Sequence, residues 1–262
     1  MTARDGRSIA AENEMRVLRA LWRFGWLPTR LMAALVWQQW KSHPHSEPDM
    51  RPTVATSSAL RMAQRTLRRL ANAKQVLRGQ APDGSVIYAL SEAGSRRLRQ
   101  TGVPAVSGKD LIRTFSSAQF RHRSIANEIA ISGIVSGHRV STEREIAQDR
   151  WLGGADGIAG KKPDVLLRAG NRIFWTEVER SRKNARDYAK LLRWLKLVAD
   201  DAGESTLLGG GLVWASVVFI CTPAFAARLR RDLLAAGYKK NVLDTLIHCE
   251  TTLYRFEDIV FS

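Results

Sequence analysis

The sequence predicts an α+β protein in two parts: a helical first part ending in a β-hairpin, and a second part built as a small α/β sandwich. Three observations predict it. Apolar residues recur at helical spacing through three segments before residue 75, and a Pro82-Asp83-Gly84 turn then joins two short apolar runs. Beyond residue 105, helical patterns alternate with a second hairpin and one nearly continuous apolar run.

In the first part, Glu12 to Phe24 places Met15, Leu18, Leu21 and Trp22 at helical spacing, and Pro28 opens a second helix through Leu31, Leu35 and Val36. A loop from Lys41 to about Pro52 follows and interrupts this part; its His43 and His45 read as solvated loop polarity. A third helix, about Ser57 to Ala73, turns Leu60, Ala63, Leu67 and Leu70 inward and offers Arg61, Gln64, Arg65, Arg68 and Arg69 on its other faces. Next come Gln75-Val76-Leu77, the Pro82-Asp83-Gly84 turn and Val86 to Leu90. Two helices, a basic helix and a hairpin in this order predict a winged helix-turn-helix. Its third helix would enter the major groove, where Arg and Gln read base edges, while Arg78 on the wing approaches a phosphate or the minor groove. The stretch Tyr88 to Leu98 resembles the wing strand and following helix of many bacterial winged-helix proteins, with Ser91 as helix N-cap.

Thr101 to Gly108 has the composition of a linker, which divides the chain near residue 105 into domains 1–105 and 106–262. The second part opens with a helix over Phe120 to Ile131, where Glu128 is the odd member of a face shared with Ile125, Ile129 and Ser132. Thr142 to Ile146 precedes a Gly-rich loop, Gly153 to Gly160. A hairpin follows: Lys161-Lys162-Pro163-Asp164-Val165-Leu166-Leu167, a Gly170-Asn171 turn, then Ile173 to Glu179. Ser181 to Val198 reads as a helix, Val213 to Ile220 as a central strand, Ala224 to Ala236 as a helix, and Leu243 to Cys249 and Thr252 to Phe256 as strands.

The second hairpin carries the candidate chemistry. Period-2 alternation puts Glu177 and Glu179 on one face with Ile173 and Trp175, leaves Phe174, Thr176 and Val178 on the other, and lets Asp164 sit opposite Glu177. Carboxylates brought together repel unless a cation neutralises them, and hard oxygen ligands select Mg²⁺ or Mn²⁺ over zinc. The bland alternative is solvated strand acids pairing with Arg180, Arg182 or Lys183.

Composition favours a polyanionic partner. Lys and Arg number 41 against 25 Asp and Glu, a formal charge of +16, in an otherwise foldable chain with 45% hydrophobic residues. DNA or RNA fits this charge better than a membrane does, and with the winged helix-turn-helix pattern double-stranded DNA is the expected partner. No apolar run approaches the roughly 20 residues that span a bilayer, and Met1 to Asp5 lacks the apolar core of a signal peptide, so the expected location is cytoplasmic, associated with nucleoid or plasmid. The two cysteines, Cys221 and Cys249, form no Cys-x-x-Cys motif, which argues against a zinc site or disulfide framework.

The order of elements, with Pro163-Asp164 before Glu177-Val178-Glu179, resembles the PD-(D/E)XK nuclease fold of restriction enzymes and resolvases. That resemblance implies metal binding by Asp164 and Glu177, but Glu179 stands where the family has its Lys. Lys183 is the first candidate to replace that group and Lys190 the second. Together with the N-terminal winged helix, the string Glu177 to Lys183 is similar to the replication-relaxation superfamily and to MobC-type relaxases of plasmids and integrative conjugative elements. The similarity implies recognition and metal-dependent nicking of origin-of-transfer or replication DNA, alongside relaxosome or coupling proteins. Asp164 and Glu177 would hold Mg²⁺ or Mn²⁺, Glu179 would complete the site or orient a water, Glu128 would be an outer ligand, and Lys183 would stabilise charge on the phosphate. The alternative is a catalytically inactive DNA-binding accessory or regulator in which the nuclease-like part serves homodimerisation or partner docking. A transcription regulator with a ligand-sensing second domain is a third expectation, permitted by the Gly-rich loop.

Overall fold

The computed structural model describes residues 5–113, 116–179 and 184–254. It is α+β, and its described residues fall into two compact units, each with its own sheet. Residues up to 41 and from 52 to 135 form the first; residues 42 to 51 and from 136 onward form the second. Among the described residues no helix is long and apolar enough to cross a membrane.

In the first unit, α1 (Gly6–Phe24) is capped by the Asp5 carboxylate and stops at Gly25, whose φ of 83° is open to glycine. A short strand β1 (Trp26–Pro28) leads into α2 (Thr29–Val36). Helix α3 (Ser57–Asn72) begins where the Thr56 hydroxyl accepts the Ala59 N–H, and it buries Ala59, Ala63, Thr66, Leu67 and Leu70. Strands β2 (Val76–Gln80) and β3 (Val86–Leu90) form the expected hairpin, and β1 pairs with the far side of β3 to give the antiparallel order β1-β3-β2. Helix α4 (Glu92–Arg99) has Ser91 as N-cap, its hydroxyl accepting the Gly94 N–H at 3.0 Å.

The boundary between units lies after Val135, not near residue 105. The Gly- and Pro-containing stretch there is fastened down: Ala105 is buried, its carbonyl accepts from Arg99, and the Gly108 N–H donates to Leu90. Helix α5 (Ser117–Val135) belongs to the first unit, where Phe120 stacks on Trp26 at 5.1 Å. The Pro-rich loop also differs from expectation, because residues 42–51 belong to the second unit. There Glu47 pairs with Arg172 and the Tyr254 hydroxyl donates to the Met50 carbonyl.

The second unit begins with β4 (Arg139–Ser141) and α6 (Glu143–Ala147), the latter closed by a reciprocal capping box between Thr142 and Glu145. Strands β5 (Val165–Ala169) and β6 (Arg172–Glu179) are the predicted hairpin, turning at Gly170 with a φ of 60°. Helix α7 (Ala185–Asp201) starts at Asn184 and crosses to β7 (Val213–Cys221). Helices α8 (Pro223–Ala235) and α9 (Lys240–Leu246) lead to β8 (Ile247–Glu250). The sheet order is β4-β5-β6-β7-β8; β4, β5 and β6 alternate in direction, while β6, β7 and β8 run parallel. The strand expected over Leu243 to Cys249 is helical as far as Leu246, because Leu243 and Leu246, three apart, both face the core. Residues 251–254 form no strand; the rest of the last expected strand lies outside the described residues.

The core under β6 is aromatic. Trp175 packs on Trp194 at 4.6 Å and on Trp214 at 6.1 Å, with Trp151 at 6.0 Å. Asp201 anchors this region, its carboxylate accepting from Thr206, Leu207 and the Trp214 indole.

Candidate functional site

The expected site residues fall into two groups, an exposed basic set in the first unit and the ribbon acids in the second. In the first, helical periodicity sorts α3 cleanly: with Ala63, Leu67 and Leu70 inward, Arg61, Gln64, Arg65, Arg68 and Arg69 are all exposed. Arg78 is exposed on β2, the strand that follows. Arg69 differs from its neighbours on α3, because its guanidinium meets Glu14 of α1 at 2.5 Å while Arg97 of α4 holds the same carboxylate at 2.8 Å. Burial pushes the Glu14 carboxyl up, but hydrogen bonds from Arg97 and Arg69 and their charges outweigh it and hold it below the usual range. Arg69 thus ties α3 to α1.

In the second unit, the acids are placed by the β5–β6 ribbon. Val165 pairs with Thr176, and the Asp164 N–H donates to the Thr176 carbonyl at 3.0 Å, so Asp164 sits at the level of Glu177 as the alternation predicts. An Asp164 carboxylate oxygen accepts the Val178 N–H at 2.7 Å. Glu177 is 4% exposed and fully engaged: one oxygen accepts from Lys161 Nζ at 2.7 Å and the other from the Trp175 indole at 2.5 Å. The Lys161 ammonium also lies 5.6 Å from the Trp194 ring centre. Burial raises the Glu177 carboxyl to about 7; the Lys161 charge opposes the shift and the Asp164 charge adds to it.

The other expected site residues are distributed differently. Glu179 is buried at the end of β6, in register with Cys221. Glu128, expected as an outer ligand, lies on α5 in the first unit, where its carboxylate forms a salt bridge with Arg30 at 2.5 Å. Lys183 lies outside the described residues. Lys190 is on α7, 3.6 Å from Asp187, and lines a cleft of about 530 Å³ with Lys161, Arg193, Trp194 and Leu197. Among the described residues no group of three or more His, Cys, Asp and Glu side chains is arranged to hold a metal ion. The donors present do not fit one as they stand, since both Glu177 oxygens are occupied and an ammonium already supplies the counter-charge.

Lys161 is the residue of the hairpin stretch to which sequence reasoning assigns no role. Its signal was adjacency to Pro163-Asp164 in a chain that lacks a Lys after its Glu-x-Glu pair. The Ile158–Lys161 bridge and the tight turn at Gly157, where a Cβ would lie 2.4 Å from the Lys161 carbonyl oxygen, bring the side chain back over the ribbon.

Comparisons with protein-family models, curated proteins and solved structures return no match for this chain.

Proposed function

We propose that this chain is a double-stranded-DNA-binding protein that reads the major groove with α3. The observation that carries the proposal is the exposed set Arg61, Gln64, Arg65 and Arg68 on a helix whose opposite face is buried, followed directly by a hairpin exposing Arg78. The element order α1-β1-α2-α3-β2-β3, with β1 beside β3, supports a winged helix-turn-helix. The excess of 16 positive charges supplies the sequence-independent attraction to phosphates. Selection of bound sequences from a randomised duplex pool is the direct test. Wild-type protein is expected to enrich one sequence family, and Gln64→Ala or Arg65→Ala to relax the choice at particular base pairs. A pool that stays random after selection would remove the base-reading role of α3.

Within that class, we infer a protein of the replication-relaxation kind, with a second unit built like a PD-(D/E)XK nuclease. The sheet order and the α7 crossover between β6 and β7 support this, together with Asp164 and Glu177 at one level of the ribbon. The engagement of Glu177 by Lys161 and Trp175 favours the non-cleaving form of that inference, a DNA-binding accessory or regulator with a silent nuclease-like unit. Nicking of origin DNA is the second reading, favoured by the acid pair itself. Supercoiled plasmid incubated with the protein and Mn²⁺ separates the two. Intact plasmid agrees with the silent unit, and nicking that Asp164→Ala abolishes would establish the cleaving one.

A further inference from the structure

The parallel strands of the second unit bring the chain's two cysteines together. Cys249 on β8 pairs with Phe219 on β7, so Cys221, two residues further along β7, is its diagonal neighbour on the same face of the sheet. Helices α8 and α9 cover that face, where Phe219 and Cys221 share a core cluster with Leu229, Leu233, Leu243 and Leu246. Both thiols are free. Their surroundings differ: Cys221 is fully buried, whereas Cys249 is exposed and lines a cavity of about 290 Å³ bounded by Leu229, Leu233, Leu243, Ile247 and Arg230.

We propose that Cys249 and Cys221 are a peroxide-oxidisable thiol pair, with Cys249 the attacking sulfur and Cys221 the resolving one, closing to a disulfide between β8 and β7. The neighbouring Cys221 thiol and then the Arg230 charge hold the Cys249 thiol below its ordinary range against the opposing push of burial. The neighbouring Cys249 thiol and burial push Cys221 up, keeping it a thiol until it is needed. In the first step the Cys249 thiolate attacks one peroxide oxygen and the O–O bond breaks. Cys249 becomes a sulfenic acid, and the other oxygen leaves as water or alcohol after taking up a proton. In the second step Cys221 sulfur attacks Cys249 sulfur, the S–O bond breaks, and the hydroxide leaves as water with the Cys221 proton. Two thiols and one hydroperoxide thus yield one disulfide, one water and one water or alcohol. An exposed, activated thiol beside a buried partner is the arrangement that favours this sequence over irreversible oxidation.

The test is peroxide treatment of the full-length protein, alkylation of remaining thiols in denaturant, and peptide mapping. Wild-type protein is expected to lose both alkylatable thiols together, to yield a peptide carrying Cys221 linked to one carrying Cys249, and to regain both thiols on reduction. In Cys221→Ala, Cys249 should stop at a sulfenic acid that dimedone traps. In Cys249→Ser, Cys221 should stay fully alkylatable. Wild-type mapping decides the matter even where the buried Cys221→Ala variant fails to fold. Two fully alkylatable thiols after peroxide, or Cys249 oxidised while Cys221 stays free, would overturn the proposal.

Discussion

Lys161 places its ammonium 2.7 Å from a Glu177 oxygen, and the Trp175 indole takes the other oxygen, so the most buried acid of the β5–β6 ribbon is neutralised from within the chain. An ion pair buried this way costs much desolvation, and losing one partner leaves the other charge without compensation.

Lys161→Ala is therefore expected to destabilise the second unit by about 3 kcal/mol at alkaline pH. The loss should shrink below pH 5 or so, where Glu177 is neutral in the folded protein and only a hydrogen bond is lost. Urea unfolding of wild type and variant at the two pH values checks this; an equal loss at both would deny the pairing its electrostatic character.

The pH dependence of Glu177 itself has a defined sign. Its folded-state value of about 7 lies above the ordinary 4.5, so the folded protein holds this proton more tightly than the unfolded chain. Its contribution to stability is fully present below about 4.5 and is lost as pH rises toward 7, a change of about 3 kcal/mol. Other carboxyls, such as Glu14, slope the opposite way, so the difference between Glu177→Gln and wild type isolates the effect. That difference should move in favour of Glu177→Gln as pH rises from about 4.5 to 7. A pH-independent difference would contradict it.

Gly94 is fixed by packing rather than by φ. A Cβ there would lie 2.1 Å from the Gln75 carbonyl oxygen and 3.3 Å from a Leu18 methyl, at the junction of α4, α1 and the hairpin. Gly94→Ala should destabilise the first unit by about 2 to 4 kcal/mol, despite alanine's better helix propensity. A neutral or stabilising result in thermal unfolding would show that α4 docks more loosely.

Arg69 and Arg65, neighbours on one helix, should separate by assay. Arg69→Ala breaks the link through Glu14 to α1 and should cost about 1 kcal/mol of stability, as exposed pairs do, with little effect on base preference. Arg65→Ala should leave stability unchanged and weaken duplex binding. Reversed outcomes in paired melting and binding experiments would exchange the two roles.

Much of this architecture was legible in the sequence where the signal is local. Gly170-Asn171 between alternating runs gave the β5–β6 ribbon and the level of Asp164 against Glu177, and the 3.6-residue period of α3 sorted its arginines outward. What escaped depends on distant partners. Thr101 to Gly108 has a linker's composition, yet its backbone bonds to α4 and β3, which moves the boundary to residue 135. Strand β1 is three residues long and exists because β3 offers it an edge. Lys161 reaches Glu177 only because a loop bridge folds it back, and the cysteines meet only through a parallel crossover. No periodicity encodes such contacts.

The salt dependence of duplex binding tests the central claim most directly. Each phosphate contact adds about 0.9 to the slope of log K against log salt concentration, so the triple variant Arg61→Ala, Arg65→Ala, Arg68→Ala, which removes two arginines beside the base-reading Arg65, should flatten the wild-type slope by roughly 1 to 2 and lower affinity while remaining folded. An unchanged slope and affinity in that folded variant would contradict DNA recognition by α3.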